Sequence, residues 1–325
     1  MMGGLICPNF FPSQSNPVGM NILLSGTQKR LGVALLHHMF ARGHTLTCLQ
    51  TRKDESGDTV WDIERLWQGQ TERPYDAIIH LGGDNLFDRR WDQRKRQNIH
   101  DSRIEDTRQL IDFLWSQPEH LRPEALISTS SIGYYGDTGQ RMLGEGNLAG
   151  IGFFAGICKQ WERQALRAAE IGIRVLCLRT GMVLLPDDEP LSKILPFFRA
   201  GFGAAFGDGK QYQSWISARD FCRAVAFLLG KKTINGPVNV VMPEPVTNRE
   251  FTNILAAALG KPARTSVPAS LLRLFCGEMA DTLLLASRRV NPNRLLQAGF
   301  IFQDHDLAAI LAWCAGVGPP PAESA

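Results

Sequence analysis

The chain has 325 residues, 44% of them apolar, enough to bury a normal core in one large domain or a domain with an appendage. Its 35 basic and 32 acidic side chains leave a net charge of +3, which excludes the strong imbalance of a general nucleic-acid binder. Seven scattered cysteines, with no CxxC pair and no His-rich neighbour, point to neither a disulfide framework nor a zinc site, and no run reaches the roughly 18 apolar residues of a membrane helix.

Residues 1–19, MMGGLICPNFFPSQSNPVG, read as a flexible tail without the basic start of a signal peptide, and Met20 is a candidate original start. MNILLS (20–25) is an apolar run of strand length. Leu31, Leu35 and Met39 then recur at helical spacing until Gly43. TLTCLQ (45–50) predicts a second strand, and DAIIHLGG (76–83) a third that ends in the pair Gly82 and Gly83. Between residues 88 and 117, Ile104, Thr107, Ile111 and Leu114 mark one face of a long helix that is otherwise highly charged. EALISTS (124–130) is the next strand, followed by a glycine-rich loop, a helix over about 153–170, and the strand IRVLCLR (173–179).

Strands alternating with helices and buried on both sides imply an α/β fold with a doubly wound parallel sheet over residues 20–186. From 187 to 325 the rhythm changes to short helices, loops and proline punctuation, predicting a smaller α/β part on the substrate side. Two capping-box patterns set helix starts there, Ser217 with Asp220 and Thr247 with Glu250.

The stretch SGTQKRLG (25–32) stands where a βαβ unit places its phosphate-binding glycines. Gly26 and Gly32 remain, but Lys29 occupies the middle position. Either its side chain blocks the close approach of a pyrophosphate, or Lys29 and Arg30, flanking Leu31, supply charge in place of that approach. The second strand ends in Thr51 and Arg52 with no acid, which suits the 2′-phosphate of NADP(H) better than the free ribose of NAD. The alternative is that these cations are solvated surface charges.

The order SGTQKRLG, QTR, HLGGD, STSSIGYYGD, LRTGMVL, GDGKQYQSWI and ASRRVNPNRLLQAGF resembles the atypical extended short-chain dehydrogenase/reductases, a nucleoside-diphosphate-sugar epimerase-like family. They carry a C-terminal domain of unknown function and are sometimes labelled cell-division inhibitors. The resemblance covers about residues 20–313 and implies a Rossmann-like fold that binds NADP(H) over 20–186. By resemblance Leu81, Gly82, Asn98 and Arg103 line the cofactor, Val183 lies beside the nicotinamide end, and Thr51 and Arg52 approach the adenosine phosphate. Relatives have GGTGLIG where Gln28, Lys29 and Arg30 stand here, and tend to have His at the position of Ser217.

Ordinary short-chain reductases use Tyr-x-x-x-Lys for proton transfer. Here those positions are Phe154 and Cys158; Lys159 is turned about 100° away along the helix. Candidate proton donors are Ser131, which aligns with the family's catalytic serine, and Tyr135. Tyr134, Gln211 and Trp215 are candidate substrate contacts, with core packing the alternative for Trp215 and for the tyrosines. Cys158 is expected to be an inert buried thiol, His80 a core histidine, and the rest of RRWDQRKRQ a solvated face. No metal spacing is seen.

Two functions stay open: an NADP(H)-dependent oxidoreductase or epimerase-like enzyme on an unknown small molecule, and a non-catalytic dinucleotide-binding protein acting through protein contacts. A cytoplasmic location, no nucleic-acid or membrane partner, and a homodimer as an open alternative complete the expectations.

Overall fold

The computed structural model describes residues 19–53, 59–88 and 90–321. Six strands form a wholly parallel central sheet: β1 (Asn21–Ser25), β2 (Thr45–Leu49), β3 (Ala77–His80), β4 (Ala125–Ser131), β5 (Arg174–Thr180) and β6 (Gly236–Val240). Their spatial order is 2-1-3-4-5-6. The sixth strand comes from well beyond residue 187, so the substrate-side half of the chain closes the sheet as well as covering it.

Side-chain alternation explains why both faces are covered. Ile22, Leu24, Ala77, Ile79, Ile127, Leu176 and Leu178 point into one core beneath helices α1 (Arg30–Ala41) and α6 (Ala218–Gly230). Leu23, Ile78, Leu126, Val175 and Cys177 point into the other, where Leu110, Ile111 and Leu114 of α3 (Asp106–Ser116) pack with Ala165 of α4 (Phe153–Leu166). This is a Rossmann-like doubly wound α/β fold.

The predicted long charged helix is α2 (Gln93–His100) running into α3 through one turn of π-helix at Asp101–Glu105. Both helix starts expected in the second half are present: Ser217 accepts from the Asp220 N–H at the head of α6, and Thr247 and Glu250 form a reciprocal capping box before α7 (Asn248–Ala258). Between β5 and α6 lies α5 (Leu191–Arg199), and α8 (Ala269–Cys276) precedes a second π-helical turn at Ala280–Leu284. No helix among the described residues is long and apolar enough to cross a membrane.

Candidate functional site

The strand order reverses between β1 and β3, and the crevice outside their C-terminal ends is where such sheets receive ligands. A cavity of about 540 Å³ occupies it, walled by Gly26, Lys29, Arg30, Leu31, Gly32, Leu81, Gly82, Gly83 and Arg103. Gly26 has φ +79°, and a Cβ there would stand 2.3 Å from the Leu81 carbonyl oxygen; a Cβ on Gly32 would stand 2.2 Å from that of Gly26. The two surviving glycines are thus required by the turn and by the close packing of α1 on it. No side chain caps α1 and no acid stands in its first turn, so its leading N–H groups are open to an anion in the crevice.

Lys29 reaches across: its ammonium donates to the carbonyl of Gly83 on the opposite lip. Burial and the nearby Arg103 guanidinium both lower its pKa. Arg103, in the π-turn, is 5% exposed; it donates to the Asp84 carbonyl at 2.9 Å, and its Nε is buried without a partner. Burial lowers its pKa to about 10. Lys95 is fully buried with its ammonium 2.7 Å from Asp84 and 2.6 Å from Asp88, which corrects the expectation of a solvated face here. Burial alone would raise the Asp84 carboxyl, but the Lys95 ammonium holds it below its usual range.

A second cavity of about 340 Å³ adjoins the first, and Leu31, Ser131, Thr180, Asp188 and Glu189 border both. Val183 lines this inner cavity, as do Tyr212, Gln213, Phe198, Phe206, Phe251 and Arg288. Ser131 is at the junction: its Oγ accepts from the Gly133 N–H at 3.0 Å. Phe154, 2% exposed, fills the proton-donor position, and burial pushes the Cys158 thiol up to about 12. Lys159 is exposed on the other face of α4.

Several expected site residues are elsewhere. Tyr135 is 1% exposed; its hydroxyl donates to Asn239 Oδ1 at 2.7 Å and accepts from Arg179 Nη1 at 3.0 Å, so its proton serves a buried network rather than the cleft. In that network Arg179 grips Glu162 with Nε and Nη2, each at 2.8 Å, and Ser130 donates to Glu162 at 2.7 Å. Tyr134 lies under the Arg179 guanidinium, 3.5 Å from ring to Cζ, and faces an outer groove with Arg108 and Arg163. Trp215 is 2% exposed in the main core. Gln211 donates to the Phe206 and Leu284 carbonyls, bracing the loops that line the inner cavity without lining it. Asn98 is on the exposed face of α2, outside the crevice wall. The side chains of Thr51 and Arg52 lie outside the described residues, as do residues 1–18 of the expected tail.

His80 matches its expectation: it is fully buried between Ser25 Oγ and Thr107 Oγ1. Sequence reasoning missed Arg288, whose place in the inner cavity is set by its backbone bonds to a distant segment: its N–H donates to the Tyr212 carbonyl at 3.0 Å and its carbonyl accepts from Ser214 Oγ at 2.9 Å.

Comparison with known proteins bears on this arrangement. The profile of the NAD dependent epimerase/dehydratase family matches residues 22–241, and a domain of unknown function, DUF1731, matches residues 267–314. An epimerase family protein of Mycobacterium leprae is 34% identical over 294 residues, 90% of this chain and 94% of that one. Human epimerase family protein SDR39U1 is 30% identical over 295 residues, 90% of this chain and 98% of that one. The crystal structure of the human protein with NADPH superposes at a TM-score of 0.80, with 27% identity, over 91% of this chain and 99% of that one. A nucleoside-diphosphate sugar epimerase from Corynebacterium glutamicum superposes at 0.71, with 26% identity, over 92% of this chain and 58% of that one.

Proposed function

Because this chain belongs to the NAD-dependent epimerase/dehydratase family, we propose that it binds NADP(H) in the outer crevice and acts on a small molecule in the inner cavity, in an oxidoreductase or epimerase-like reaction without a Tyr-x-x-x-Lys pair. The observation that carries this reading is the adjacency of the two cavities, which share Ser131 and Thr180 in their walls. It brings a dinucleotide crevice and a substrate-sized space to one seam.

The crevice fits the cofactor on this chain's own atoms: a turn that only glycines allow, open N–H groups at the head of α1, and an unpartnered Arg103 Nε. The solved relative with NADPH adds support. When bound, the cofactor supplies hydride exchange at its nicotinamide. Gly26, Gly32 and the first turn of α1 hold the pyrophosphate by backbone donors, with Lys29 and Arg30 adding charge, while Leu31, Leu81, Gly82 and Gly83 shape the walls. The 2′-phosphate is assigned to Thr51 and Arg52, which follow β2 in a separate short strand, Thr51–Lys53, paired antiparallel with Thr59–Trp61. Ser131 is the group left to move a proton at the seam, because its Oγ accepts from Gly133 and its own O–H stays available. Phe154 keeps water from the reacting end.

A second reading, a dinucleotide-binding protein without turnover, is favoured by Phe154 and by the un-ionised Cys158 thiol. One set of measurements separates the two: titration with NADPH and NADH, with and without Arg52→Ala, then NADPH oxidation against a panel of carbonyl compounds, with and without Ser131→Ala. Tighter binding of NADPH, lost in Arg52→Ala, with turnover lost in Ser131→Ala, is the expected result. Equal weak binding of both cofactors sinks the cofactor assignment, and tight NADPH binding with no turnover across the panel favours the second reading.

A further inference from the structure

The inner cavity carries its own chemical signature in its orphaned polar atoms. Arg288 is 8% exposed, its Nε is buried with no partner, and Nη2 donates to the Thr282 carbonyl at 2.6 Å. Gln213 Oε1 and Glu189 Oε2 are likewise buried without partners, and both residues line the same space. A buried guanidinium that meets no carboxylate is costly, and so are bare amide and carboxylate oxygens. The Asp137 carboxylate acts on Arg288 from a distance, but its Oδ1 is already engaged by the N–H groups of Ser287 and Gly139. These costs converge on one cavity, so a ligand that meets them all explains them together.

Size and charge narrow that ligand. About 340 Å³ is at the small end of the roughly 300–1,000 Å³ usual for small-molecule sites, short of the room for a base, two sugars and two phosphates. One unpaired guanidinium balances one negative charge. Asp188 and Glu189 on the wall oppose a second, although Glu189 Oε1 is already paired with the Lys193 ammonium at 3.2 Å and only its Oε2 is left bare. The remaining lining is largely aromatic and aliphatic, with Phe198, Phe206 and Phe251 prominent.

We propose that the inner cavity takes a compact monocarboxylate with an apolar body, its carboxylate on Arg288 and a hydroxyl or N–H group donating to Gln213 and Glu189. This rests on the functional reading above for its place beside the cofactor, and it departs from the nucleotide sugars named among the structural neighbours.

The test is calorimetric titration of full-length protein, loaded with NADPH, with benzoate, phenylpyruvate and octanoate, each against an uncharged counterpart: benzamide, phenylacetone and octanamide. UDP-glucose and inorganic phosphate are the competing probes. At least one acid is expected to bind tenfold or more tighter than its counterpart, and Arg288→Gln to abolish that preference while NADPH affinity stays within twofold. If Arg288→Gln fails to fold, the wild-type protein answers instead: the acid should protect Arg288 from phenylglyoxal modification. Equal binding of acids and counterparts, a preference that survives Arg288→Gln, no protection of Arg288, or displacement of the acid by UDP-glucose or phosphate overturns the proposal. Acid preference without NADPH binding sinks the cofactor reading alone; NADPH binding without acid preference sinks this inference alone.

Discussion

The Lys29 ammonium donates to the Gly83 carbonyl, tying the glycine loop to the far lip of the crevice it should open. The contact makes Lys29 either a plug or a charge held ready for phosphate. Desolvation at the crevice wall and the Arg103 charge both press on its proton, although the side chain keeps access to solvent, and the charge of an incoming anion would offset them. Exchange of a neutral carbonyl for a phosphate oxygen strengthens the hydrogen bond, so Lys29→Ala is expected to raise the NADPH Kd roughly tenfold or more. Fluorescence titration decides; tighter binding in Lys29→Ala would mean the side chain obstructs the site.

Tyr135 and Glu162 are predicted to matter for stability and not for cofactor binding. Tyr135→Phe removes a buried hydroxyl that donates to Asn239 and accepts from Arg179, costing about 1–2 kcal/mol. Glu162→Ala is worse, since it strands the buried Arg179 guanidinium, at a cost of about 3–5 kcal/mol. Urea denaturation should rank wild type, Tyr135→Phe and Glu162→Ala in that order, with NADPH affinity unchanged in Tyr135→Phe. A lost affinity in Tyr135→Phe with unchanged stability would return the tyrosine to the cleft.

What the sequence revealed and what it hid divide along a physical line. The strands, the capping of α6 and α7, and the buried face Ile104, Thr107, Ile111 and Leu114 follow from local periodicity, and all are present. The glycine loop was equally legible, because turn and close packing are local demands. Lys95 was not: its burial depends on Asp84 and Asp88 folding onto it from the preceding loop, and a charge run by itself reads as solvated. Nor was the fate of Tyr135, which is fixed by Asn239 from β6 and Arg179 from β5. Arg288 was hidden for the same reason, being brought to the cavity by chain more than a hundred residues from Ser131.

Cys158 stands where ordinary short-chain reductases keep a lysine, and its chemistry can be measured directly. Burial pushes its thiol up to about 12, and Cys222 and Cys314 are raised equally far. Thiolate is the reactive form, so these groups should resist iodoacetamide at pH 8 in the folded protein and react in denaturant. Among the six described cysteines, peptide mapping should find labelling of the half-buried Cys48 and Cys276 first. Fast native alkylation of Cys158 would reopen it as a nucleophile.

His80 links β1, β3 and α3 through Ser25 at 2.9 Å and Thr107 at 3.1 Å, and burial lowers its pKa from 6.5 to about 4. Between those values the unfolded chain holds a proton on this ring that the folded chain refuses. The unfolded state then binds more protons, so stability is lost as pH drops from 6.5 towards 4, by about 2–4 kcal/mol in all. Above pH 6.5 the ring is neutral in both states and contributes no slope. Asp106 works against it: burial, then Asp101 and Glu105, raise its carboxyl from 3.8 to about 6, so the folded state gains a proton first and is favoured as pH drops from 6 towards 4. Comparing wild type with His80→Gln cancels the Asp106 contribution, since both proteins keep it. Chemical denaturation at intervals from pH 7.5 to 4 should show the stability of wild type relative to His80→Gln declining steadily below pH 6.5 and flat above it. A constant difference over the whole range would mean that the ring accepts its proton inside the fold, and that its two hydroxyl partners do not hold it neutral.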